Sequence, residues 1–291
     1  MALTDAARRP PLDPAGLNAC LVRPGGLWRE IRVIPETGST NAVLLGEARA
    51  GAAEGLVLVA ESQTAGRGRL GRSWSSPPRA ALTCSVLLRP AGVPPPARAW
   101  LPLLTGIAVA AALRAEAGVA AGLKWPNDVL VGDRKVAGIL AEAHGDAVVA
   151  GVGLNVTLTR AELPVPTATS LLLEDAACLD RGRLLAAVLT ELASRYTAWA
   201  AGPDAAAPGA GPRPAPGPPA PGPPTPAPRE ESLRAEYLRW CVTIGREVRV
   251  ELPGGALLTG TATDVDEAGR LAVRTGPGST LVGAGDVVHV R

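Results

Sequence analysis

Arginine alternates with glycine in one short stretch, Gly66-Arg67-Gly68-Arg69-Leu70-Gly71-Arg72. Glycine lets a backbone wrap closely round a ligand. Arginine offers planar, paired donors that suit carboxylate and phosphate. Three guanidinium groups this close repel one another unless solvent or an anion intervenes. The stretch also matches GxGxxG letter for letter, but a dinucleotide fold needs a helix opening at the last glycine and an acid about 20 residues on. Ser73-Trp74-Ser75-Ser76-Pro77-Pro78 follows instead, and no acid stands at 86–93, so that reading fails. An anion site, a solvated basic loop and a nucleic-acid contact stay open.

A second cluster is Lys124-Trp125-Pro126-Asn127-Asp128, with Asp133-Arg134-Lys135-Val136-Ala137-Gly138-Ile139-Leu140-Ala141-Glu142 close behind. Strand alternation that turns Lys135 inward makes it a partly desolvated cation in need of an anionic partner. Asn127 carries donors and an acceptor that suit a ribose or a purine edge. The plainer reading is a proline turn with a surface charge pair, and the cluster alone does not choose. The third, Gly151-Val152-Gly153-Leu154-Asn155, ends in a polar tip. For its glycines alone, a bulge near a strand end is the stronger reading.

Other chemistries drop out. Two histidines, His144 and His289, and four scattered cysteines make a zinc site improbable, and no protein metal site is expected. There is no G-x-S-x-G and no GxxxxGK[ST]. The cysteines form no CxxC and the N-terminus has no apolar signal core, which fits reduced thiols in a cytoplasmic protein. A net charge of +2 without a long basic run argues against nucleic acid as the main partner. The longest apolar run, Ala99 to Leu113, contains Pro102 and Thr105 and falls short of the ~20 residues of a membrane span; a buried helix is expected, and no membrane.

These clusters need a scaffold, and 291 residues at 47% hydrophobic suffice for one large core and a small satellite. Residues 1–30, punctuated by Pro and Gly, read as a loose or loosely docked arm. Strands are expected at Ile31–Ile34, Leu56–Ala60, Ala81–Leu88 and Ala147–Val156. The segment Gly38-Ser39-Thr40-Asn41 caps a helix running to about Arg49. Ala97–Glu116 and Arg183–Ala200 are further helices. Gly132-Asp133 turns a tight hairpin between Val129–Val131 and Arg134–Val136. Residues 203–228 hold 12 prolines and no large apolar side chain; a flexible loop insertion is preferred to an SH3-type ligand. Glu230–Trp240 reads as a short amphipathic helix. Short alternating strands from Gly245 onward suggest a small barrel.

ETGSTN at 36–41, ESQTAGRGRLGRSW at 61–74, KWPNDVLVGDRKVAGILAE at 124–142 and GVGLN at 151–155 together resemble the biotin–protein ligases, in that family's order and with similar spacing. The resemblance covers roughly residues 31–200 and, more weakly, 230–291. It implies an α/β (α+β) fold: a mixed sheet with flanking helices like that of class II aminoacyl-tRNA synthetases, then an SH3-like β-barrel. The division would be an arm at 1–30, a catalytic domain at 31–241 interrupted by 203–228, and the barrel at 242–291. Only about 35 residues precede ETGSTN, too few for the winged helix of the repressor members, so the resemblance is to short ligases without DNA binding. The Pro-rich insert departs from the family pattern.

The resemblance also implies a reaction. ATP activates biotin as biotinyl-5′-AMP, and a lysine of a biotin carboxyl carrier domain, of acetyl-CoA carboxylase type, then takes the biotinyl group. ATP and biotin are the substrates, and Mg²⁺ is expected on the ATP phosphates rather than in a protein cage. Ser39, Thr40 and Gln63 would bind the ureido head, with the Gly138 backbone nearby. Gly66, Arg67 and Arg69 would belong to a loop that closes over biotin and its adenylate. Arg69, Arg72 and Lys135 would face the carboxylate and phosphates. Trp74, Asn127 and Asn155 would hold the nucleotide, with Arg291 reaching the phosphates. Asp128 would orient the incoming amine, making Lys135, Arg69 and Asp128 the catalytic set. Loop 157–170 would order around the nucleotide. A monomer or weak homodimer is expected. The alternatives are a lipoate or octanoate ligase of related fold and a biotin-binding regulator.

Overall fold

The computed structural model describes residues 9–202, 232–276 and 278–290. The expectations for the Pro-rich insert and for Arg291 lie outside these residues. The main sheet has seven strands: β1 (Glu30–Ile34), β2 (Leu56–Ala60), β5 (Ala81–Leu88), β6 (Ala121–Lys124), β7 (Asp128–Val131), β8 (Arg134–His144) and β9 (Ala147–Asn155). Their spatial order is β1-β2-β5-β9-β8-β7-β6. Only β1 and β2 run parallel; every other neighbouring pair is antiparallel, so the sheet is mixed. A two-stranded hairpin, β3 (Gly66–Arg67) and β4 (Ser73–Trp74), stands apart from it.

Strand alternation assigns the two faces. Val57, Val59, Leu82, Cys84, Val86, Leu88, Val148, Ala150 and Val152 share a core with helices α3 (Leu101–Glu116) and α4 (Arg181–Ala201). The residues between them, Leu58, Leu87, Ala147 and Val149, meet Leu44, Leu45 and Ala48 of α2 (Thr40–Arg49). Further along that second face the side chains become Ser85, Thr83, Gly151 and Gly153. The apolar layer under α2 thus gives way to small and polar groups near its N-terminus. The Pro95–Glu116 stretch is long and apolar enough for a membrane span, but two thirds of it is buried inside the fold as core helix. Its first turn, Pro95–Trp100, is 3-10, and the α-helix starts at Leu101 rather than Ala97. The prolines at 94–96 lack the N–H donors that an α-turn would use.

Of the arm expected to be loose or loosely docked, the described part is firmly packed. Residues 9–29 are docked, and α1 (Pro14–Leu21) packs beside α4 and β1. Pro14 opens this helix at N1 rather than breaking it, and Asp13 caps it. Leu12, Leu17 and Trp28 are buried, and Trp28 donates to the Leu189 carbonyl at 3.0 Å.

The C-terminal unit is a five-stranded antiparallel, SH3-like sheet: β10 (Glu247–Glu251), β11 (Leu257–Val265), β12 (Leu271–Thr275), β13 (Gly278–Val282) and β14 (Asp286–His289), ordered β13-β12-β11-β10-β14. The short helix α5 (Leu233–Trp240) precedes it, and Tyr237 meets Trp100 edge to face at 6.0 Å. Two tryptophans tie the units together: Trp100 donates to the Glu267 carbonyl at 2.8 Å and Trp125 to that of Gly269 at 3.0 Å.

Candidate active site

Three glycines of the sheet form a floor without side chains. Gly138 on β8 pairs with Gly153 on β9, and Gly151 pairs with Leu140. A Cβ on Gly153 would lie 2.4 Å from the Trp74 ring, and one on Gly151 would lie 2.2 Å from Asn41 Oδ1. These glycines are therefore not a strand-end bulge, as their spacing alone suggested; they let other groups come down onto the backbone.

The wall is the first turn of α2. Ser39 caps it, accepting from the Ala42 N–H. Gln63 Oε1 accepts from the Thr40 N–H at 2.8 Å and lies 3.1 Å from Thr40 Oγ1. Behind Thr40, Ser85 Oγ is 2.7 Å from Thr40 Oγ1 and 2.6 Å from Asn41 Oδ1. The Asn41 amide donates to the Leu140 carbonyl and to Glu142.

The β3–β4 hairpin is the roof. Leu70 and Gly71, both at positive φ, turn its tip. Trp74 lies across Gly138 and Gly153, with its Nε1 buried and unbonded among the described residues. Beneath it remains a cavity of about 40 Å³, lined among others by Ser39, Thr40, Gln63, Arg67 and Gly138. Small-molecule pockets usually measure about 300–1,000 Å³, so a ligand here needs more room, and the hairpin residues Arg67 and Trp74 are part of the lining that bounds it.

The three loop arginines each have a partner without any ligand. Arg67 donates to Glu142 at 3.1 Å, Arg69 to Asn127 Oδ1 at 3.1 Å and Arg72 to Asp286 at 2.5 Å. The mutual repulsion expected of them is thus relieved by three separate acceptors, one on the C-terminal sheet. Burial pushes the Arg69 guanidinium below its ordinary value, with Asp286 and Asp128 opposing, while the Arg72 value is raised, chiefly by the hydrogen bond to Asp286. Lys135 meets its expected anion: its Nζ lies 2.6 Å from Asp128 Oδ1, and 5.9 Å from the Trp74 ring centroid. The β7–β8 hairpin supplies both residues, with a register shift between Val129 and Leu130. Burial likewise pushes Lys124 down, against the attraction of Asp128 and Asp286. Four cations, Arg69, Arg72, Lys124 and Lys135, thus stand among the carboxylates of Asp128 and Asp286, with Glu251 also attracting Arg72, and the excess positive charge suits a polyanion.

The expected residues therefore fall into groups. Ser39, Thr40, Gln63, Arg67, Trp74 and Gly138 line one cavity, with Gly66 beside Gln63. Arg69, Asn127, Asp128 and Lys135 adjoin it, and Arg72 turns outward to Asp286. Asn127 is also braced by paired bonds with Ile139. Asn155 stands apart, buried and donating to the Thr169 carbonyl. Trp74, expected against a nucleotide, lines the small polar cavity. Of loop 157–170, Thr167 and Thr169 bracket the Lys135 backbone at 2.9 and 2.8 Å. Sequence reasoning gave no role to Asn41, Glu142 or Lys124, though all lie in quoted motifs. It missed Ser85, a hydroxyl in a mostly apolar strand, and Asp286, which carries no local signal.

The protein-family profile described as "Biotin/lipoate A/B protein ligase family" matches residues 33–158, and "Biotin protein ligase C terminal domain" matches 243–290. A Mycobacterium tuberculosis protein, "Biotin--[acetyl-CoA-carboxylase] ligase", is 44% identical over 99% of this chain and 100% of its own length. The chain belongs to the biotin/lipoate A/B protein ligase family. Like this ligase's main unit, part of the "Bifunctional ligase/repressor BirA" of Escherichia coli matches at 40% identity, over 56% of this chain and 52% of that one. The solved Aquifex aeolicus biotin protein ligase, in complex with biotin and ATP, superposes at TM-score 0.68 with 27% identity, covering 91% of this chain and 100% of that one. The mixed sheet with its SH3-like C-terminal sheet is thus the fold of biotin ligases.

Proposed function

We propose that this ligase activates biotin with ATP to biotinyl-5′-AMP and passes the biotinyl group to a lysine of a carboxylase carrier domain. The observation that carries this reading is the position of Lys135: it stands on Asp128 at 2.6 Å and beside Gly138, between the small polar cavity and the cation cluster. Two different demands meet there. Thr40, Gln63 and Ser39 can hold a small neutral polar head, and the adjoining cations can hold phosphates.

A carboxylate is a poor electrophile until phosphate activates it. Its oxygen attacks the α-phosphorus, and pyrophosphate leaves. Negative charge collects on the phosphate oxygens, where Lys135 and Arg69 supply fixed positive charge. Arg72 follows once it leaves Asp286. The acceptor amine, mostly protonated at neutral pH, must first give up a proton; the free amine then attacks the acyl carbon, the bond to the phosphate oxygen breaks and AMP leaves, with Asp128 orienting the amine in this reading. Asn127 braces the nucleotide side in this reading, and Asn155 acts only through Thr169, whose carbonyl it holds. Mg²⁺ enters with the ATP phosphates. Among the described residues no group of three His, Cys, Asp or Glu side chains is placed to hold a metal, so no step is assigned to it. The domain division at 31–241 and 242–291, a cytoplasmic location and a monomer or weak homodimer belong to the same reading.

The test is biotin-dependent ATP–pyrophosphate exchange, then transfer to a carrier domain, with lipoate and octanoate run in parallel. Exchange that follows lipoate and ignores biotin would overturn the proposal. The roof gives a second test. Arg67 and Arg72 are 45% and 63% exposed, and such surface pairs contribute about 0–1 kcal/mol each, so the empty hairpin opens readily. Biotin plus ATP replaces these pairs with firmer ones, and tryptic cleavage after Arg67, Arg69 and Arg72 should slow. Equal cleavage rates with and without ligands would sink the closing role of this loop.

A further inference from the structure

The hydroxyl contacts behind the α2 wall can be resolved by counting protons. Asn41, Ser85 and Thr40 are all buried, at 4%, 0% and 3% exposure. The Asn41 amide nitrogen faces two groups that only accept, the Leu140 carbonyl at 3.0 Å and Glu142 Oε2 at 2.8 Å. Its orientation is therefore forced, and Oδ1 points at Ser85 Oγ, 2.6 Å away. An amide oxygen has no proton to give, so the single Ser85 proton lies on that contact. The 2.7 Å contact between Ser85 and Thr40 then needs the Thr40 proton. The relay runs Thr40 to Ser85 to Asn41. On the other side, Gln63 Oε1 accepts from the Thr40 N–H and is a second, longer internal acceptor for the Thr40 hydroxyl at 3.1 Å, which leaves Gln63 Nε2 as its free end, near Gly66. The cavity wall consequently presents an acceptor at Thr40 Oγ1 and a donor at Gln63.

We propose that Asn41 and Ser85 are specificity-determining positioning residues: they keep the Thr40 proton inside the protein, so that Thr40 can only accept from the ligand. Ser85 lies behind the wall and Asn41 reaches the cavity lining, but the relay needs neither to touch the ligand. The wall then recognises a ring that offers an N–H beside a carbonyl and rejects an isosteric ring with an oxygen at that N–H, because two acceptors would face each other. The ligand assignment rests on the biotin reading above. Gly151 belongs to the same device, since a Cβ there would meet Asn41 Oδ1 at 2.2 Å.

The test uses the full chain and three ligands: biotin and its two cyclic carbamate analogues, each with a ring oxygen replacing one ureido N–H. Pyrophosphate exchange gives kcat/KM for each, and the readout is the ratio of biotin to the less favoured analogue. A partly misfolded sample lowers both rates alike and leaves the ratio unchanged. The wild-type ratio should be at least ~10². In Ser85→Ala the Thr40 proton loses its nearer internal acceptor, keeps only Gln63 Oε1 at 3.1 Å, and can turn to the ring oxygen. In Asn41→Leu the Ser85 proton is freed to turn back on Thr40, with the same result. Each substitution should shrink the ratio about 10-fold or more. A ratio within two-fold of wild type in Ser85→Ala overturns the relay, whatever Asn41→Leu does. Failure of the wild-type chain to exchange with biotin overturns the biotin reading and the ligand assignment with it. Exchange with an unchanged ratio in the variants overturns the relay alone.

Discussion

Lys135→Met is expected to lower biotin-dependent pyrophosphate exchange by ~10²–10³, the usual loss when a preorganised donor is removed from developing phosphate charge. Lys135 is the one lysine that combines a fixed anion, Asp128 at 2.6 Å, with a place beside the Gly138 floor. Its backbone is held by Thr167 and Thr169 on one side and the β7–β8 hairpin on the other. Methionine keeps the length and removes the charge, so biotin should still bind. Asp128→Asn should retain more exchange, because Lys135 and Arg69 keep their charges, and should lose more of the transfer step. Supplying biotinyl-5′-AMP separates the two half-reactions. Carrier labelling should recover further in Lys135→Met than in Asp128→Asn. Equal losses in both steps for both variants would remove the division of labour.

The largest effect on stability is expected at the ion pair between Glu61 and Arg181. The two side chains are 8% and 5% exposed and lie 2.6 Å apart. Glu61 also accepts from the Leu12 N–H at 2.7 Å, and Arg181 donates to the Pro10 carbonyl at 2.7 Å. The pair therefore joins β2, α4 and the docked N-terminal segment. Arg181→Met leaves the Glu61 carboxylate buried without its counter-charge, at a cost of ~3–5 kcal/mol. For a chain of this size the melting temperature should fall by on the order of 10 °C. Glu61→Leu combined with Arg181→Met should recover part of the loss, since no unpaired charge is left inside. Calorimetric melting of the two variants beside the wild type checks this. A single Arg181→Met variant that melts within a degree of wild type would show that the pair is dispensable.

Much of the scaffold was legible because its signals are local. The apolar runs at 56–60, 81–88 and 147–155 are strands buried on both faces, and Gly132-Asp133 turns the hairpin between β7 and β8. Thr40, Gln63 and Lys135 were legible through their motifs. What escaped depends on partners far along the chain. Arg67 and Glu142 are 75 positions apart, and Arg72 and Asp286 are 214; no periodicity connects them. The arm was misread because Pro14 and the flanking glycines punctuate it, while the burial of Leu12, Leu17 and Trp28 is decided by α4, far downstream. Ser85 lies in a strand whose other members are mostly apolar, so nothing local marks its hydroxyl as part of the wall.

A floor of bare backbone also limits how such an enzyme can diversify. Gly138, Gly151 and Gly153 have no side chains to exchange, and at 151 and 153 even a methyl group collides with Asn41 or Trp74. Selection for a new acid substrate therefore finds nothing to adjust underneath the ligand. It has to work on the rim: the first turn of α2, Gln63 and the hairpin from Gly66 to Trp74. Of these the hairpin tip is the most exposed and can drift at small cost in stability, whereas Thr40 and Asn41 are buried. The glycine sheet stays frozen beneath them, a constant stage on which the ligand-facing parts are free to be recast.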